Sequence, residues 1–174
     1  MLNTSSDSNS TPKYFFDKLT DITPDCFLEM GAKAVGIDLD NTSFYDGTYK
    51  PFPGFYKWLE AMKKAAIPVI IVSNTYEFRA KRIAEKLGLP YISDANKPDT
   101  KCFYEAAKLC NVNISEFAMV GDQLFTDVQG ANNAGAISVR VKYMTREIVF
   151  GIRFRLVRRR ERLYLESKGL GDKV

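Results

Sequence analysis

The sequence predicts an α/β fold with a mainly parallel central sheet covered by helices on both faces. Three observations carry that expectation. First, Ala34–Ile37, Val69–Val72, Phe117–Val120 and Ile137–Val141, with a shorter Tyr91-Ile92, are apolar runs of strand length, most of them rich in β-branched residues. Second, the intervening segments carry apolar stripes at helical spacing: Phe55, Trp58, Leu59 and Met62; Ala80, Ile83, Ala84 and Leu87; Phe103, Ala106, Ala107 and Cys110. Third, strand and helix alternate, which implies right-handed crossovers and a parallel sheet buried on both sides. The chain has 174 residues, 45% of them hydrophobic, enough for one domain with a real core.

Taken in chain order, residues 1–13 are rich in Ser, Thr, Asn and Asp and read as a flexible lead. A short element then precedes a helix that starts at Thr23-Pro24 and ends at Gly31. The body follows, with Gly88 and Gly135 standing where helix C-terminal caps are expected, and residues 14–150 form a single domain. Residues 151–174 carry eight Lys or Arg against three acidic side chains, whereas the preceding 150 carry 17 against 18, so the net charge of +4 belongs to the tail. Read as a helix, Arg155 to Lys168 places Leu156, Val157, Leu163 and Tyr164 on one arc and Arg155, Arg158, Arg159 and Arg162 on the other. Phe150, Ile152 and Phe154, alternating with Gly151 and Arg153, also fit a further strand.

Composition narrows the chemistry. The chain has no histidine, which excludes Ser-His-Asp and Cys-His catalysis and His-ligated zinc. Cys26, Cys102 and Cys110 have no Cys-x-x-Cys spacing and read as reduced, buried thiols of a cytoplasmic protein. No apolar run reaches the length of a spanning helix or a signal peptide. Acid-base chemistry must therefore use carboxylates, Lys, Tyr or metal-bound water.

In a parallel sheet, ligands bind outside the carboxyl ends of the strands. The first apolar run ends in Asp38-Leu39-Asp40-Asn41-Thr42, and alternate strand residues point the same way, so both acids can address one bound group. Acidic turns and other metal-dependent transferases share that pair, and each partner alone also fits a turn or a helix start. The ordered set at successive strand ends is what points to phosphoryl transfer: Ser73-Asn74, Lys97-Pro98 and Gly121-Asp122 through Asp127 complete it. Asp38 is expected as nucleophile, and Asp40 as the acid that protonates the leaving group and the base that activates water. Ser73, with backbone amides near Asn41 and Asn74, is expected to hold the phosphoryl oxygens, and Lys97 to neutralise charge and restrain Asp38. Asp38, the Asp40 carbonyl and Asp122 are expected to hold Mg2+, with Asp127 behind a metal-bound water or Lys97.

These four segments resemble the motifs of the haloacid dehalogenase superfamily of phosphatases, over roughly Ala34 to Val141. The resemblance implies a three-layer Rossmann-like fold. A closer likeness lies in Ile22-Thr23-Pro24, in Glu77 and Arg79 after Ser73-Asn74, and in Gly121 to Gly130. It is to subfamily IIIA enzymes related to the mitochondrial-type phosphatidylglycerophosphate phosphatase, although Ser43 stands where that group usually has Leu. The gaps on either side of Ser73 leave no room for the cap domain that such enzymes usually insert, so the expected form is capless. An open site suits a phosphate carried on a large partner, which itself excludes water. A basic amphipathic tail suits an anionic membrane surface. The expectation is thus an Mg2+-dependent phosphomonoesterase acting on a phospholipid such as phosphatidylglycerophosphate, cytoplasmic and peripheral to the membrane. Another phosphoester substrate, or a non-catalytic scaffold that binds RNA or a ribosome through the tail, is the alternative.

Overall fold

The computed structural model describes residues 9–143 and 151–171, with side chains described from residue 155 onward in the second segment. Six strands form one sheet: β1 (Tyr14–Phe16), β2 (Ala34–Ile37), β3 (Val69–Val72), β4 (Tyr91–Ile92), β5 (Phe117–Gly121) and β6 (Ile137–Val141). Their order is β1-β6-β5-β2-β3-β4, and every pairing is parallel. β1, the short element before the first helix, adds an edge strand in register with β6, Tyr14 opposite Val139. The helices are α1 (Pro24–Glu29), α2 (Phe55–Lys64), α3 (Glu77–Leu87), α4 (Lys101–Leu109), α5 (Gln129–Ala134) and α6 (Gly151–Ser167).

Strand periodicity sorts the core into two layers. Val35, Ile37, Val69, Ile71, Ala118, Val120 and Val139 face α1, α2 and α3, meeting Phe27, Phe55, Trp58, Met62 and Ile83. Ala34, Ile70, Val72, Phe117 and Met119 face α4 and α5, meeting Phe103, Ala106, Ala107 and Ala131. Each stripe read from the sequence is buried except at Cys110, which is half-buried; of the three cysteines expected to be buried, Cys102 is and Cys26 and Cys110 are half-buried. Thr23 opens α1 by accepting the Cys26 amide at 3.3 Å, and Pro24 occupies the first turn, where its missing N–H costs nothing. Trp58 in α2 reaches back to the Ile22 carbonyl at 2.8 Å, tying the segment before α1 to the core.

Two segments differ from the sequence reading. Asn9 to Lys13, the last part of the expected lead, is held against the sheet edge. The Asn132 amide donates to the Asn9 and Thr11 carbonyls at 2.8 and 2.9 Å, and the Lys13 amide donates to the Ser138 carbonyl at 3.2 Å. Residues 1–8 lie outside the described residues. In the tail, helix α6 extends back to Gly151 and so covers Ile152 and Phe154, the positions that also fitted a strand; Phe150 lies outside the described residues. The face of α6 that docks takes in only part of the apolar arc. Leu156 and Leu163 are 60% and 52% exposed, while Glu161 and Leu165 are buried and Val157, Arg158 and Tyr164 are half-buried. Leu165 packs with Leu124 and Val128, and the Arg160 guanidinium lies 4.4 Å from the Phe125 ring centroid.

No described helix is long and apolar enough to cross a membrane. Among the described residues, the connection from β2 to β3 holds α2 and a turn, and the connection from β3 to Lys97 holds α3 and β4, so neither carries an inserted domain.

Gly36, at the centre of β2, explains how the second layer closes. A β-carbon there would sit 2.6 Å from the Phe117 ring and 3.1 Å from the Met119 sulfur. Gly36→Val should therefore destabilise the fold by about 1–3 kcal/mol, as core overpacking does. Chemical denaturation measures this, and an unchanged midpoint would contradict the packing described.

Candidate active site

The central strand pair builds the site. In the β2–β5 register Ile37 lies opposite Val120, and the Asp38 amide donates to the Val120 carbonyl at 3.0 Å. Asp38 and Gly121-Asp122 therefore emerge side by side at the carboxyl edge, with Ser73 leaving β3 next to them. After Asp38 the chain curls back: the Ser43 and Phe44 amides both reach the Leu39 carbonyl, at 3.0 and 2.8 Å. The Ser43 hydroxyl donates to the Asp38 carbonyl at 2.6 Å, a bond that a leucine at this position could not make.

Lys97 is the centre of the arrangement. Its ammonium donates to Asp38 Oδ1 at 2.8 Å, Asp127 Oδ1 at 2.6 Å and the Val72 carbonyl at 2.8 Å, which engages all three of its hydrogens. The Asn74 side chain brackets the Lys97 backbone, accepting its N–H at 2.8 Å and donating to its C=O at 3.2 Å. Asp127 Oδ2 accepts the Gln123 amide at 3.1 Å, and a β-carbon on Gly121 would collide with the Asp127 carboxylate. Asp122 is fully buried. Its Oδ1 accepts the Thr42 hydroxyl at 3.2 Å, and its Oδ2 pairs with the Arg158 guanidinium of α6. Arg158 also pairs with Glu161 at 2.8 Å, and Glu161 in turn accepts the Leu124 amide at 2.6 Å.

Asp38, Asp122 and Asp127 each present an oxygen, all within 4.8 Å of one another, and all three side chains are buried. Lys97, Arg140 and Arg158 supply three positive charges against these three carboxylates and Glu161, and hard oxygen donors with excess negative charge fit a hard divalent cation. The electrostatics agree. Burial alone would depress the Lys97 ammonium, but Asp127 and Asp38 outweigh it and hold it above the usual lysine range. Burial raises Asp122, with Arg158 opposing, and raises Asp127, with Lys97 opposing. The Lys97 ammonium, shared with a second carboxylate, does not fully offset the desolvation of Asp127.

The structure thus brings together Asp38, Lys97, Asp122 and Asp127. The Asp40 side chain stands apart from them, paired with Arg79 at 2.7 and 2.8 Å. The Ser73 hydroxyl is buried and accepts the Thr75 amide at 3.3 Å. The Asn41 amide donates to the Phe44 carbonyl at 2.9 Å, so it closes the turn itself. Sequence reasoning missed the positions of Thr42, Arg140, Arg158 and Glu161 around Asp122. The one available signal was the opposite charge at i and i+3 in Arg158 and Glu161. Arg79 precedes Ile83 by four residues, which places a charge on the apolar stripe of α3 and was legible as an anomaly.

An open α/β sheet that gathers a lysine and three acids at its carboxyl edge defines a hydrolase of the phosphoryl-transfer type. The chain belongs to the haloacid dehalogenase-like hydrolases, whose family profile matches residues 12–135. It is 36% identical over 159 residues to the probable phosphatase YqeG of Bacillus subtilis, covering 91% of this chain and 92% of that protein. It is 30% identical over 126 residues to the mitochondrial phosphatidylglycerophosphatase GEP4 of Saccharomyces cerevisiae, covering 63% of this chain and 66% of that one. An uncharacterized protein from Listeria monocytogenes serotype 4b shares the fold with a TM-score of 0.54 at 20% identity, covering 67% of this chain and 84% of that one. Within the family the chain is a phosphoric monoester hydrolase.

Lys97→Met would leave Asp38 and Asp127 facing each other without a counter-charge, and should cost about 3–5 kcal/mol of stability in a denaturation titration. The pH dependence has a definite sign. Native Asp122 and Asp127 keep their protons to higher pH than in the unfolded chain, so the folded state binds more protons above the ordinary carboxylate range. The metal-free protein should lose stability as pH rises from that range towards neutrality, and urea midpoints that stay flat or rise would contradict the burial of these acids.

Proposed function

We propose that the protein is an Mg2+-dependent phosphomonoesterase of the subfamily IIIA type that works through a phosphoaspartate on Asp38 and takes a membrane phospholipid, phosphatidylglycerophosphate or a close relative, as substrate. The observation that carries the catalytic reading is the Lys97 ammonium joining Asp38 and Asp127 beside buried Asp122, on the strand edge that faces ligands. An Asp38 oxygen attacks phosphorus in line. The P–O bond to the leaving group breaks, and Asp40 gives that oxygen its proton. Asp40 then takes a proton from water, the water oxygen attacks phosphorus, and Asp38 leaves as carboxylate while inorganic phosphate forms. Ser73, with nearby backbone amides, holds the phosphoryl oxygens, and Asn74 keeps Lys97 in place to restrain Asp38.

Asp38, Asp122 and the Asp40 carbonyl would hold Mg2+, with Asp127 close behind, and the ion would supply the charge that lets one anion approach another. The substrate reading rests on the likeness to GEP4, on the absence of an inserted cap among the described residues, and on α6. With Arg158 turned inward, Arg155, Arg159 and Arg162 remain exposed with Leu156 and Leu163, a combination of basic and apolar side chains that suits an anionic bilayer from the cytoplasmic side.

Asp38→Asn should abolish phosphate release while leaving the fold intact; retained turnover would sink the mechanism. Phosphate release from phospholipid, nucleotide, sugar and phosphoprotein substrates, with and without Mg2+, ranks the substrates, and a sugar phosphate turned over fastest would overturn the lipid reading. Each basic residue near an anionic surface contributes about 1 kcal/mol, so removing Arg155, Arg159 and Arg162 together should weaken binding to phosphatidylglycerol vesicles about 100-fold. Co-sedimentation measures this, and unchanged binding would remove α6 from the account.

A further inference from the structure

One buried cation near the site has no role in the mechanism above. Arg79, in the first turn of α3, is 6% exposed, and all five of its N–H groups are engaged. Two go to Asp40: Nη1 to Oδ2 at 2.8 Å and Nη2 to Oδ1 at 2.7 Å. Nε and Nη2 both donate to the Thr48 carbonyl, at 3.2 and 2.8 Å, and Nη1 donates to the Thr75 hydroxyl at 3.0 Å. Asp40 takes a third donor from the Gly47 amide, which reaches Oδ1 at 2.9 Å.

We propose that Arg79 is a positioning residue that fixes the orientation of the Asp40 carboxylate for both proton transfers. The inference rests on the phosphatase reading of Asp40 given above. Two parallel bonds from a planar guanidinium fix the plane of a carboxylate as well as its place, which a point charge cannot do. The anchor is itself rigid, because the same guanidinium is tied to the turn after β2 through Thr48 and to the segment after β3 through Thr75. Asp40 lies two residues beyond the nucleophile, outside the sheet strands and joined to Phe44 by an isolated bridge, so the direction of its carboxylate is set by its side-chain partners. Its side chain is 27% exposed, against 7% for that of Arg79: the carboxylate keeps one side open while the cation behind it is covered. A proton carrier needs that combination, since small displacements of a catalytic group are costly in rate.

The test compares Arg79→Gln and Arg79→Lys with the intact protein, using steady-state hydrolysis of the best substrate from the panel and solvent exchange of the Gly47 amide by NMR. The Gln variant should lose kcat by roughly 30-fold or more, within the range that general acid-base catalysis supplies, with KM changed by less than about threefold, because Ser73 and Lys97 are untouched. The Gly47 amide should exchange at least about tenfold faster while the amides of β2 and β5 keep their protection, since the contacts released, to Asp40, Thr48 and Thr75, all lie outside the strands. Lys should restore part of both properties, as a single charged donor replaces a fork. An unchanged kcat, a loss carried by KM alone, or faster exchange at Gly47 and the sheet together would overturn the proposal. Should the Gln variant fail to fold, the Lys variant carries the same readouts: kcat equal to that of the intact protein with unchanged Gly47 exchange would overturn it. Failure of the intact protein to hydrolyse any substrate would defeat the phosphatase reading instead, and the Gly47 exchange would still decide whether Arg79 holds Asp40.

Discussion

The buried ammonium of Lys97 is the contact on which the rest of the site depends. It bonds the carboxylate after β2, the carbonyl that ends β3 and the carboxylate in the turn after β5, so one side chain sets the spacing of three adjacent strand ends. Such a charge is tolerated in a protein interior only with partners of opposite sign and full hydrogen bonding, and Lys97 has both. The surrounding residues serve it in turn. Asn74 grips its backbone, and Gly121 leaves the space that the Asp127 carboxylate occupies. The small residue between strand and acid is therefore part of the electrostatic design.

A second buried charge system lies next to the first and explains how the C-terminal helix docks. Asp122, Arg140, Arg158 and Glu161 surround the turn that begins α5's approach: Arg140 and Arg158 both donate to the Asp122 carbonyl, and Glu161 takes the Leu124 amide. Orphaned amides and a buried carboxylate are costly, and α6 meets both needs with an Arg and a Glu three residues apart. That requirement, more than the apolar arc, sets the rotation of the helix. It leaves Leu156 and Leu163 outside and turns Arg158, one of the expected surface cations, inward. The tail and the catalytic edge consequently share a residue cluster, and a change in α6 bears directly on Asp122.

The fold was largely legible because continuous apolar runs and helical stripes are strong local patterns, and the structure packs most of their residues into one of two layers. The β1 edge strand and the register of α6 were not legible. Tyr14–Phe16 becomes a strand through pairing with β6, and the α6 register follows from partners more than 30 residues away in sequence, as Leu124 and Glu161 show. At the site, residue types in order at strand ends singled out Asp38, Lys97, Asp122 and Asp127, which the structure groups. What sequence did not reveal was how all of them are held: Lys97 was expected to restrain Asp38, as the structure has it, but the Asp38 and Asp40 pair gives no hint that the second acid faces Arg79. Those assignments depend on which loops meet in space.

The central claim is that Asp38 takes the phosphoryl group, and the most direct measurement is to stop single-turnover hydrolysis with acid during the first milliseconds and map the covalently bound phosphate by mass spectrometry. The account predicts a base-labile phosphoryl group on the peptide carrying Asp38, formed and lost at rates that match turnover. Turnover with no phosphorylated peptide at any time, or with the phosphoryl group on another residue, would contradict it.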